Sequence, residues 1–454
     1  MFAQAPDYLF IHPGGFYSMT GRSDLFGPHY LLDHDVVLVT INYRLASLGF
    51  LSTGDAVAPG NNGFKDQVSA LRWLRRNAAA FGGDPQQVTI AGCSAGSISV
   101  LLHMVSDMSK GRKMPRKKLS NGVQILGCKA VPKEISKRCP PPAGQGAATK
   151  PPAGPGTEAG AYPELPTNSS RAIVDCLKTK TWQEMGNSLL GFWDQFGFDP
   201  IGLWTPVLEP DVGQPRFLAV QPAEAIRARR IHSVPLLVSQ TEDEFFWKAF
   251  SKCDQEQTLR DRMNAEWETI APISFDLPKT TRQLPAAASK KRIWGEGRHR
   301  HARERERPGQ AVRMANLMCR YSAHPVWYSE FSYIGNNSFH EDPRTGKPEG
   351  AAHHDDLIYL FSMSYFRPPI HAKSPPPPAP QDATIVDRMT AIWYNFATYG
   401  DPNPRDGAEP AGLSWPTMTP HDRKYLRVDK QFSVHEKLHE KRLQVWEELY
   451  PMQY

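Results

Sequence analysis

Short apolar runs alternate with amphipathic stretches over the first hundred residues of the chain. Residues 8–11, 36–41 and 88–91 are rich in aliphatic and β-branched side chains, which is typical of strands buried on both faces. Apolar positions repeat at helical spacing over 65–80, and a second helix is predicted over 97–105. Alternation of strand and helix predicts an α/β fold with a mostly parallel sheet and helices on both faces.

The same pattern returns later in the chain. Residues 234–238 predict a strand, a further strand begins at 325–328, and 386–399 has the spacing of a helix that ends at Gly400. Two stretches, 111–164 and 282–308, are rich in basic residues, Pro or Gly and have no stable period. We expect both to be disordered insertions in a single domain, and we expect a surface loop at the proline run 375–378.

Composition and charge exclude several classes of protein. Hydrophobic residues make up 40% of the 454 positions, enough for a sizeable core, and no apolar run approaches the roughly 20 residues of a membrane span. The net charge of +6 comes from basic residues concentrated in the two insertions, so we do not expect a nucleic-acid partner. The first residues lack the features of a signal peptide. Six scattered cysteines with no CxxC pair argue against a metal site and leave room for one or two disulfides.

The strongest chemical signal is Gly92-Cys93-Ser94-Ala95-Gly96, between a predicted strand and a predicted helix. This context defines a nucleophile elbow, in which glycines on either side of the serine permit a turn that exposes its hydroxyl. An earlier segment, His12-Pro13-Gly14-Gly15-Phe16, follows the first strand and resembles an oxyanion loop. The expected donors to an oxyanion are the N–H groups of Gly14, Gly15 and Ala95.

A serine nucleophile needs a histidine base and an acid that orients the base, in the chain order serine, acid, histidine. Residues 350–356 place His353 and His354 on a loop before an apolar run, with His353 as the candidate base and His354 as the alternative. Residues 241–245 follow the strand at 234–238 and offer three carboxylates at the same edge of the sheet. Spacing alone does not choose among the three.

The chain resembles the type B carboxylesterase and cholinesterase family, in particular its insect esterases. The resemblance is carried by the elbow and by five further motifs. These are Asn42-Tyr43-Arg44 with Leu48-Gly49-Phe50, Gly60-Asn61-Asn62-Gly63 with Asp66-Gln67, Phe81-Gly82-Gly83-Asp84-Pro85, Trp393 with Asn395-Phe396-Ala397, and Gly400-Asp401-Pro402.

The resemblance implies an α/β-hydrolase fold and hydrolysis of carboxylic esters through an acyl-enzyme, without a metal or organic cofactor. It assigns the acid to Glu244 and the base to His353. It also implies a secreted glycoprotein with a disulfide and a small-molecule ester as partner. Asn168 and Asn336 are the candidate glycosylation sites, since each begins an N-x-S triplet.

The sequence departs from the family pattern in several places. Relatives carry a longer segment before the oxyanion loop, and after the elbow helix they continue into a strand where this chain enters 111–164. His354 stands where the family has a glycine, and Cys93 where cholinesterases often have glutamate. We therefore expect a chain that lacks its N-terminal part, and the alternative function is an inactive fragment or an adhesion-type member of the family.

Overall fold

The computed structural model of the protein describes residues 4–109, 123–126, 169–187, 204–244, 309–342, 345–348, 350–363, 378–405 and 412–438, with a few single positions beyond them. The main sheet has eight strands in this part of the chain. They are β1 (Ala5–Ile11), β2 (Val37–Ile41), β3 (Gly83–Cys93), β4 (Val123–Leu126), β5 (Leu236–Thr241), β6 (Val326–Phe331), β9 (Lys424–Val428) and β10 (Ser433–Glu436). A separate antiparallel pair consists of β7 (Glu341–Asp342) and β8 (Lys347–Pro348).

Eight α-helices accompany the sheet within the described residues. They are α1 (Ala46–Phe50), α2 (Asn62–Asn77), α3 (Ala95–Val105), α4 (Ser170–Lys178), α5 (Trp182–Asn187), α6 (Pro222–Arg227), α7 (Gly309–Tyr321) and α8 (Pro380–Tyr399). Three 3-10 turns lie at Leu31–Asp33, Ala78–Phe81 and Asp355–Tyr359. None of the described helices is long and apolar enough to cross a membrane.

The strand order across the sheet is β10-β9-β6-β5-β4-β3-β1-β2. All neighbouring strands are parallel except β9 and β10, which pair antiparallel at one edge. The carboxyl ends of the parallel strands therefore meet along one edge of the sheet, where ligand sites of open α/β sheets lie.

Alternate residues of β1 enter two separate hydrophobic cores, one on each face of the sheet. Leu9 and Ile11 pack in the core that contains α2, α3 and α7. Tyr8 and Phe10 pack in the core that contains α8. This explains the unbroken apolar run in the sequence, and it confirms the predicted sheet with helices on both faces.

One expectation about the insertions is wrong in part. Val123–Leu126, which the sequence analysis placed in a disordered insertion, forms β4 between β3 and β5. Its apolar residues pair in register with residues 90–93 of β3 and 236–238 of β5, so a short apolar run within a polar stretch supplies the strand expected to be missing. The rest of 111–164, together with 282–308 and the proline run 375–377, lies outside the described residues, and its assignment stays a prediction.

Left-handed residues end the two long helical segments. Gly82, with φ of 82°, closes the 3-10 turn that extends α2, and Gly400, with φ of 70°, closes α8. The N–H of Gly400 donates to the carbonyl oxygen of Phe396, at 2.8 Å. Glycine is favoured at such positions because it has no Cβ that would clash in this conformation.

Candidate active site

Ser94 lies on a sharp turn between β3 and α3, at the carboxyl edge of the sheet. Its φ of 52° and ψ of −116° are unfavourable for a residue with a side chain. The flanking glycines allow the turn, because a Cβ on Gly92 would lie 2.5 Å from the carbonyl carbon of Gly96, and a Cβ on Gly96 would lie 2.0 Å from the carbonyl oxygen of Ile11. The local geometry is that of a nucleophile elbow.

The buried helix α3 holds this turn from behind. The carbonyl oxygen of Ser94 accepts hydrogen bonds from the Ser97 hydroxyl, at 2.7 Å, and from the Ile98 N–H, at 3.0 Å. All residues of α3 are buried. Ala95 is the first residue of the helix, where backbone N–H groups have no partner inside the helix and can serve a ligand.

Glu244 follows β5, and both oxygens of its buried carboxylate accept hydrogen bonds. Its Oε1 accepts hydrogen bonds from the Thr241 N–H, at 3.2 Å, and from the Thr241 hydroxyl, at 2.8 Å. Burial raises the pKa of Glu244, but the interaction with His353 and the hydrogen bonds from His353 and Thr241 outweigh it. The pKa therefore lies below its ordinary value, and the carboxylate is ionised at neutral pH.

The structure brings Glu244 and His353 together. The Nδ1 of His353 lies 2.6 Å from Oε2 of Glu244, and both side chains are buried. An ionised carboxylate only accepts hydrogen bonds, so Nδ1 carries the proton and donates it to this bond. The other ring nitrogen, Nε2, is then the basic atom of His353.

Asp243 ties the loop that carries His353 to the end of β5. Its backbone N–H donates to the carbonyl oxygen of Ala351, at 3.0 Å, and its Oδ2 accepts from the Ala351 N–H, at 3.2 Å. A Cβ on Gly350 would lie 2.3 Å from the same Oδ2, so the loop approaches closely because residue 350 is glycine. The three carboxylates that the sequence left equivalent thus differ: Glu244 contacts the histidine and Asp243 holds its loop.

Asp355 anchors the same loop from the other side. It accepts hydrogen bonds from the Ala352 N–H at 2.8 Å, the Ser338 hydroxyl at 2.7 Å and the Phe339 N–H at 2.8 Å. Burial raises its pKa to about 7 despite these bonds. Neither Asp355 nor Asp243 was predicted to be a positioning residue, because their partners are backbone amides and a hydroxyl from separate loops.

The segment predicted to form an oxyanion hole is a tight turn after β1. The carbonyl oxygen of Gly14 accepts hydrogen bonds from the N–H groups of Tyr17 and Ser18, each at 2.9 Å. Gly14 and Gly15 have φ of 114° and 59°, and a Cβ on Gly14 would lie 2.1 Å from the carbonyl oxygen of Ser18. Only glycine fits at Gly14 without a shift of the turn.

His12 supports this turn from the core. Its ring stacks on Tyr43, with centroids 4.5 Å apart, and its Nδ1 lies 2.7 Å from the carbonyl oxygen of Pro13. The Tyr43 hydroxyl donates to the carbonyl oxygen of His12, at 3.2 Å. Burial lowers the pKa of His12 to about 4, so the ring is neutral in the ordinary working range. His12 was not predicted as a functional residue.

A third buried carboxylate, Asp356, interacts electrostatically with Glu244. Its two oxygens are buried without a hydrogen-bond partner among the described residues, as is the hydroxyl of Tyr8. Burial, together with the charge of Glu244, raises the pKa of Asp356 to about 7. The thiol of Cys93, next to Ser94, interacts electrostatically with both carboxylates. Glu244 thus interacts electrostatically with the residue next to Ser94 as well as with His353.

The structure describes one of the two candidate glycosylation sites and three of the six cysteines. Asn336 is exposed, and its Oδ1 accepts a hydrogen bond from the Gln381 side chain at 2.7 Å, whereas Asn168 lies outside the described residues. Cys93, Cys176 and Cys319 are free, and the other three cysteines lie outside the described part of the chain. No cluster of metal-ligating side chains is found in the residues that the structure describes.

A parallel sheet with a serine elbow at its carboxyl edge, and a buried carboxylate–histidine pair on loops that come later in the chain, defines an α/β-hydrolase. The carboxylesterase family model matches residues 3–446, and the chain belongs to that family.

Two insect relatives show the extent of the match. Esterase FE4 from Myzus persicae is 31% identical over 412 residues, which cover 87% of this chain and 66% of that protein. Juvenile hormone esterase from Tribolium castaneum is 30% identical over 436 residues, covering 91% of this chain and 69% of that protein. The chain thus spans about two thirds of the length of these relatives.

A solved structure shows the same fold. Juvenile hormone esterase from Manduca sexta matches 99% of this chain and 81% of its own with a TM-score of 0.73 and 23% sequence identity. This confirms the α/β-hydrolase fold expected from the sequence.

Proposed function

We propose that this chain is a serine carboxylesterase, with Ser94 as nucleophile, His353 as base and Glu244 as the acid that orients the base. The observation that carries the proposal is the buried bond of 2.6 Å between Glu244 and His353, at the same edge of the sheet as a strained serine elbow. An ionised acid that fixes the tautomer of a histidine is the device that makes a serine hydroxyl nucleophilic.

In the proposed first half-reaction, Nε2 of His353 takes the proton of the Ser94 hydroxyl as Oγ forms a bond to the ester carbonyl carbon. The carbonyl oxygen becomes an oxyanion and accepts hydrogen bonds from the N–H groups of Gly14, Gly15 and Ala95. His353 then returns the proton to the alkoxide as the carbon–oxygen bond breaks. The alcohol leaves, and an acyl group stays on Ser94.

The second half-reaction repeats these steps with water. His353 takes a proton from water as its oxygen attacks the acyl carbon, and then gives that proton to Oγ of Ser94 as the carboxylic acid departs. Throughout, Glu244 stays ionised and stabilises the imidazolium that forms twice in the cycle. All proposed groups are side chains or backbone amides of the chain itself.

The proposed substrate is a small-molecule carboxylic ester. The names of the relatives support this class, because the Myzus persicae protein is an esterase and the Tribolium castaneum protein is a juvenile hormone esterase. These names favour the hydrolase over the inactive or adhesion-type alternative.

We also propose that the protein is a secreted glycoprotein with a glycan on Asn336. The support is the N-x-S triplet, the exposure of Asn336 and the family to which the chain belongs. Protein expressed through the secretory pathway of insect cells should lose mass when its N-linked glycans are removed enzymatically. The Asn336→Gln variant should migrate faster on a denaturing gel than the unsubstituted protein, because it lacks this glycan. Unchanged migration would remove Asn336 from the proposal.

A fluorophosphonate probe tests the proposed nucleophile directly. The probe reacts only with an activated serine, so incubation followed by peptide mass spectrometry should place the adduct on Ser94. The matched control is Ser97→Ala, because the Ser97 hydroxyl donates to the same turn but is not the proposed nucleophile. Labelling of a folded protein at another serine, or no labelling at all, would contradict the proposal.

A further inference from the structure

His354 lies directly against the proposed base. The ring centroids of His353 and His354 are 3.9 Å apart, and the ring planes meet at 34°. The contact is on the face of the His353 ring, whereas Glu244 contacts its Nδ1 edge at 2.6 Å. His353 is therefore held at two places by two different side chains.

The backbone of His354 is in a conformation that histidine seldom adopts. Its φ of 80° and ψ of −5° are left-handed, at the start of the 3-10 turn Asp355–Tyr359. This conformation is unfavourable for a residue with a Cβ, and glycine or asparagine adopts it more readily. Backbone strain that persists beside a proposed catalytic residue suggests a role for the side chain at the strained position, here His354.

The surroundings of the His354 ring keep it in place and uncharged. Phe339 packs edge-on against it with centroids 5.5 Å apart, and its Nε2 is buried without a hydrogen-bond partner among the described residues. Burial, together with the nearby histidines His353 and His340, holds the pKa of His354 well below its ordinary value. The ring is thus a neutral aromatic surface at working pH.

Two further titratable groups among the described residues interact with His353, namely His340 from the loop before β7 and Glu244 from the loop after β5. Asp355 and Asp356 follow His354 in the 3-10 turn, and burial raises the pKa of each to about 7.

We propose that His354 is a positioning residue, whose neutral ring fixes the imidazole of His353 and stabilises the imidazolium formed when Ser94 attacks. The inference rests on the proposed esterase function and deepens it. The hydrogen bond at Nδ1 does not by itself prevent rotation of the ring about that bond, and contact with the face of the ring restricts this rotation. When His353 accepts the proton of Ser94, the π face of the neutral neighbour attracts the new positive charge.

Three variants separate the ring from the rest of the side chain. His354→Gly removes the ring and relieves the backbone, His354→Asn keeps a side chain that tolerates the left-handed conformation, and His354→Phe keeps a neutral ring without its nitrogen atoms. The measurements are kcat/KM for p-nitrophenyl acetate between pH 5 and 9, the rate of fluorophosphonate labelling at Ser94, and the Tm.

The glycine and asparagine variants should lose roughly tenfold in kcat/KM and in labelling rate, and the phenylalanine variant should stay within about threefold of the unsubstituted protein. The loss should lie in kcat rather than KM, because the contact strengthens only as the imidazolium forms. The acid limb of the profile for the glycine variant should move to lower pH, because a group that favours the protonated base is gone. The Tm of the glycine variant should change by less than about 3 °C.

Several results would overturn the inference while the proposed function stands. One is a glycine variant that labels and hydrolyses like the unsubstituted protein. Another is an equal loss in the phenylalanine variant, which would show that the ring is not the active feature. A loss that follows a lower Tm would show a structural role only. Failure of the unsubstituted protein to label at Ser94 would instead contradict the esterase function itself.

Discussion

Two buried carboxylates at opposite ends of the central sheet differ in their hydrogen-bond partners. Glu244, just beyond the carboxyl end of β5, accepts three hydrogen bonds, from Thr241 and His353. Asp7, near the amino end of β1, is equally buried, but neither of its oxygens has a hydrogen-bond partner among the described residues. It packs against Gly83, where a Cβ would lie 2.0 Å from its Oδ1.

The two groups therefore shift in opposite directions. Burial and the charge of Asp84 raise the pKa of Asp7 to about 7, whereas the partners of Glu244 hold its pKa below the ordinary value. Burial alone favours the neutral acid, and donors placed around the carboxylate reverse that preference. The surroundings of Glu244 therefore favour its negative charge, and those of Asp7 do not.

The largest effect is expected from substitution of Ser94, the proposed nucleophile. Ser94→Ala should lower kcat for ester hydrolysis by several orders of magnitude, because the proposed acyl-enzyme forms on the hydroxyl that this change removes. Steady-state rates with p-nitrophenyl acetate measure this, and circular dichroism checks that the variant is folded. Ser69→Ala, on the exposed side of α2, is the matched control and should keep full activity. Comparable rates for the two variants would remove Ser94 from the mechanism.

The next effect tests the charge at the carboxyl edge. Glu244→Gln keeps the shape of the side chain but loses the charge and can present an N–H to Nδ1 of His353, which favours the wrong tautomer. We expect kcat to fall by about three to four orders of magnitude. The matched control is Glu242→Gln, two residues earlier, whose carboxylate lies 3.2 Å from the guanidinium of Arg427. A variant at Glu244 as active as the one at Glu242 would show that the charge is not needed.

Much of the architecture could be predicted from the sequence because burial on both faces leaves a clear pattern. β1 and β5 were placed within two or three residues of their observed bounds. β3 begins at Gly83 rather than at 88, because its first residues are polar yet pair with residues 5 and 6 of β1. α8 begins at Pro380 rather than at 386, since its first turns contain few apolar residues.

The candidate site was predictable only in part. A serine elbow has a local pattern, because its glycines lie two residues on either side of Ser94. The choice of Glu244 among three carboxylates needed the family resemblance, since its donors become visible only in three dimensions. The hydrogen bond from Ser338 to Asp355 joins residues 17 apart in the sequence, and no spacing rule predicts it. The strained backbone of His354 was visible in the sequence only as a histidine in place of the family's glycine.

A moderate effect is expected at the turn after β1. Gly14→Ala should lower kcat by about 100- to 1,000-fold, because a Cβ would lie 2.1 Å from the carbonyl oxygen of Ser18 and would displace the proposed oxyanion donors. Gly213→Ala is the matched control, since Gly213 also has a positive φ, of 75°, but no atom within 4 Å of the added Cβ. Equal activities of the two variants would separate this turn from catalysis.

The smallest effect concerns stability and the amino edge of the sheet. Asp7 has a pKa of about 7 when folded, against an ordinary value of 3.8. Between these values the folded protein binds a proton that the unfolded chain does not, so the contribution of Asp7 to stability falls as the pH rises from about 4 to 7 and stays low above that. Asp7→Asn is always neutral, and its free energy of unfolding at pH 8 should exceed that of the unsubstituted protein by about 1–3 kcal/mol.

Urea unfolding at pH 5 and pH 8 measures this difference, which should be smaller at pH 5, where Asp7 is itself protonated. Esterase activity should not change, because Asp7 lies at the end of the sheet opposite Ser94 and His353. Asp33→Asn, at an exposed aspartate, is the matched control and should show no comparable gain at either pH. An equal gain for Asp7→Asn at both pH values would mean that packing rather than charge sets its cost. The contrast between the two ends of the sheet would then not rest on ionisation.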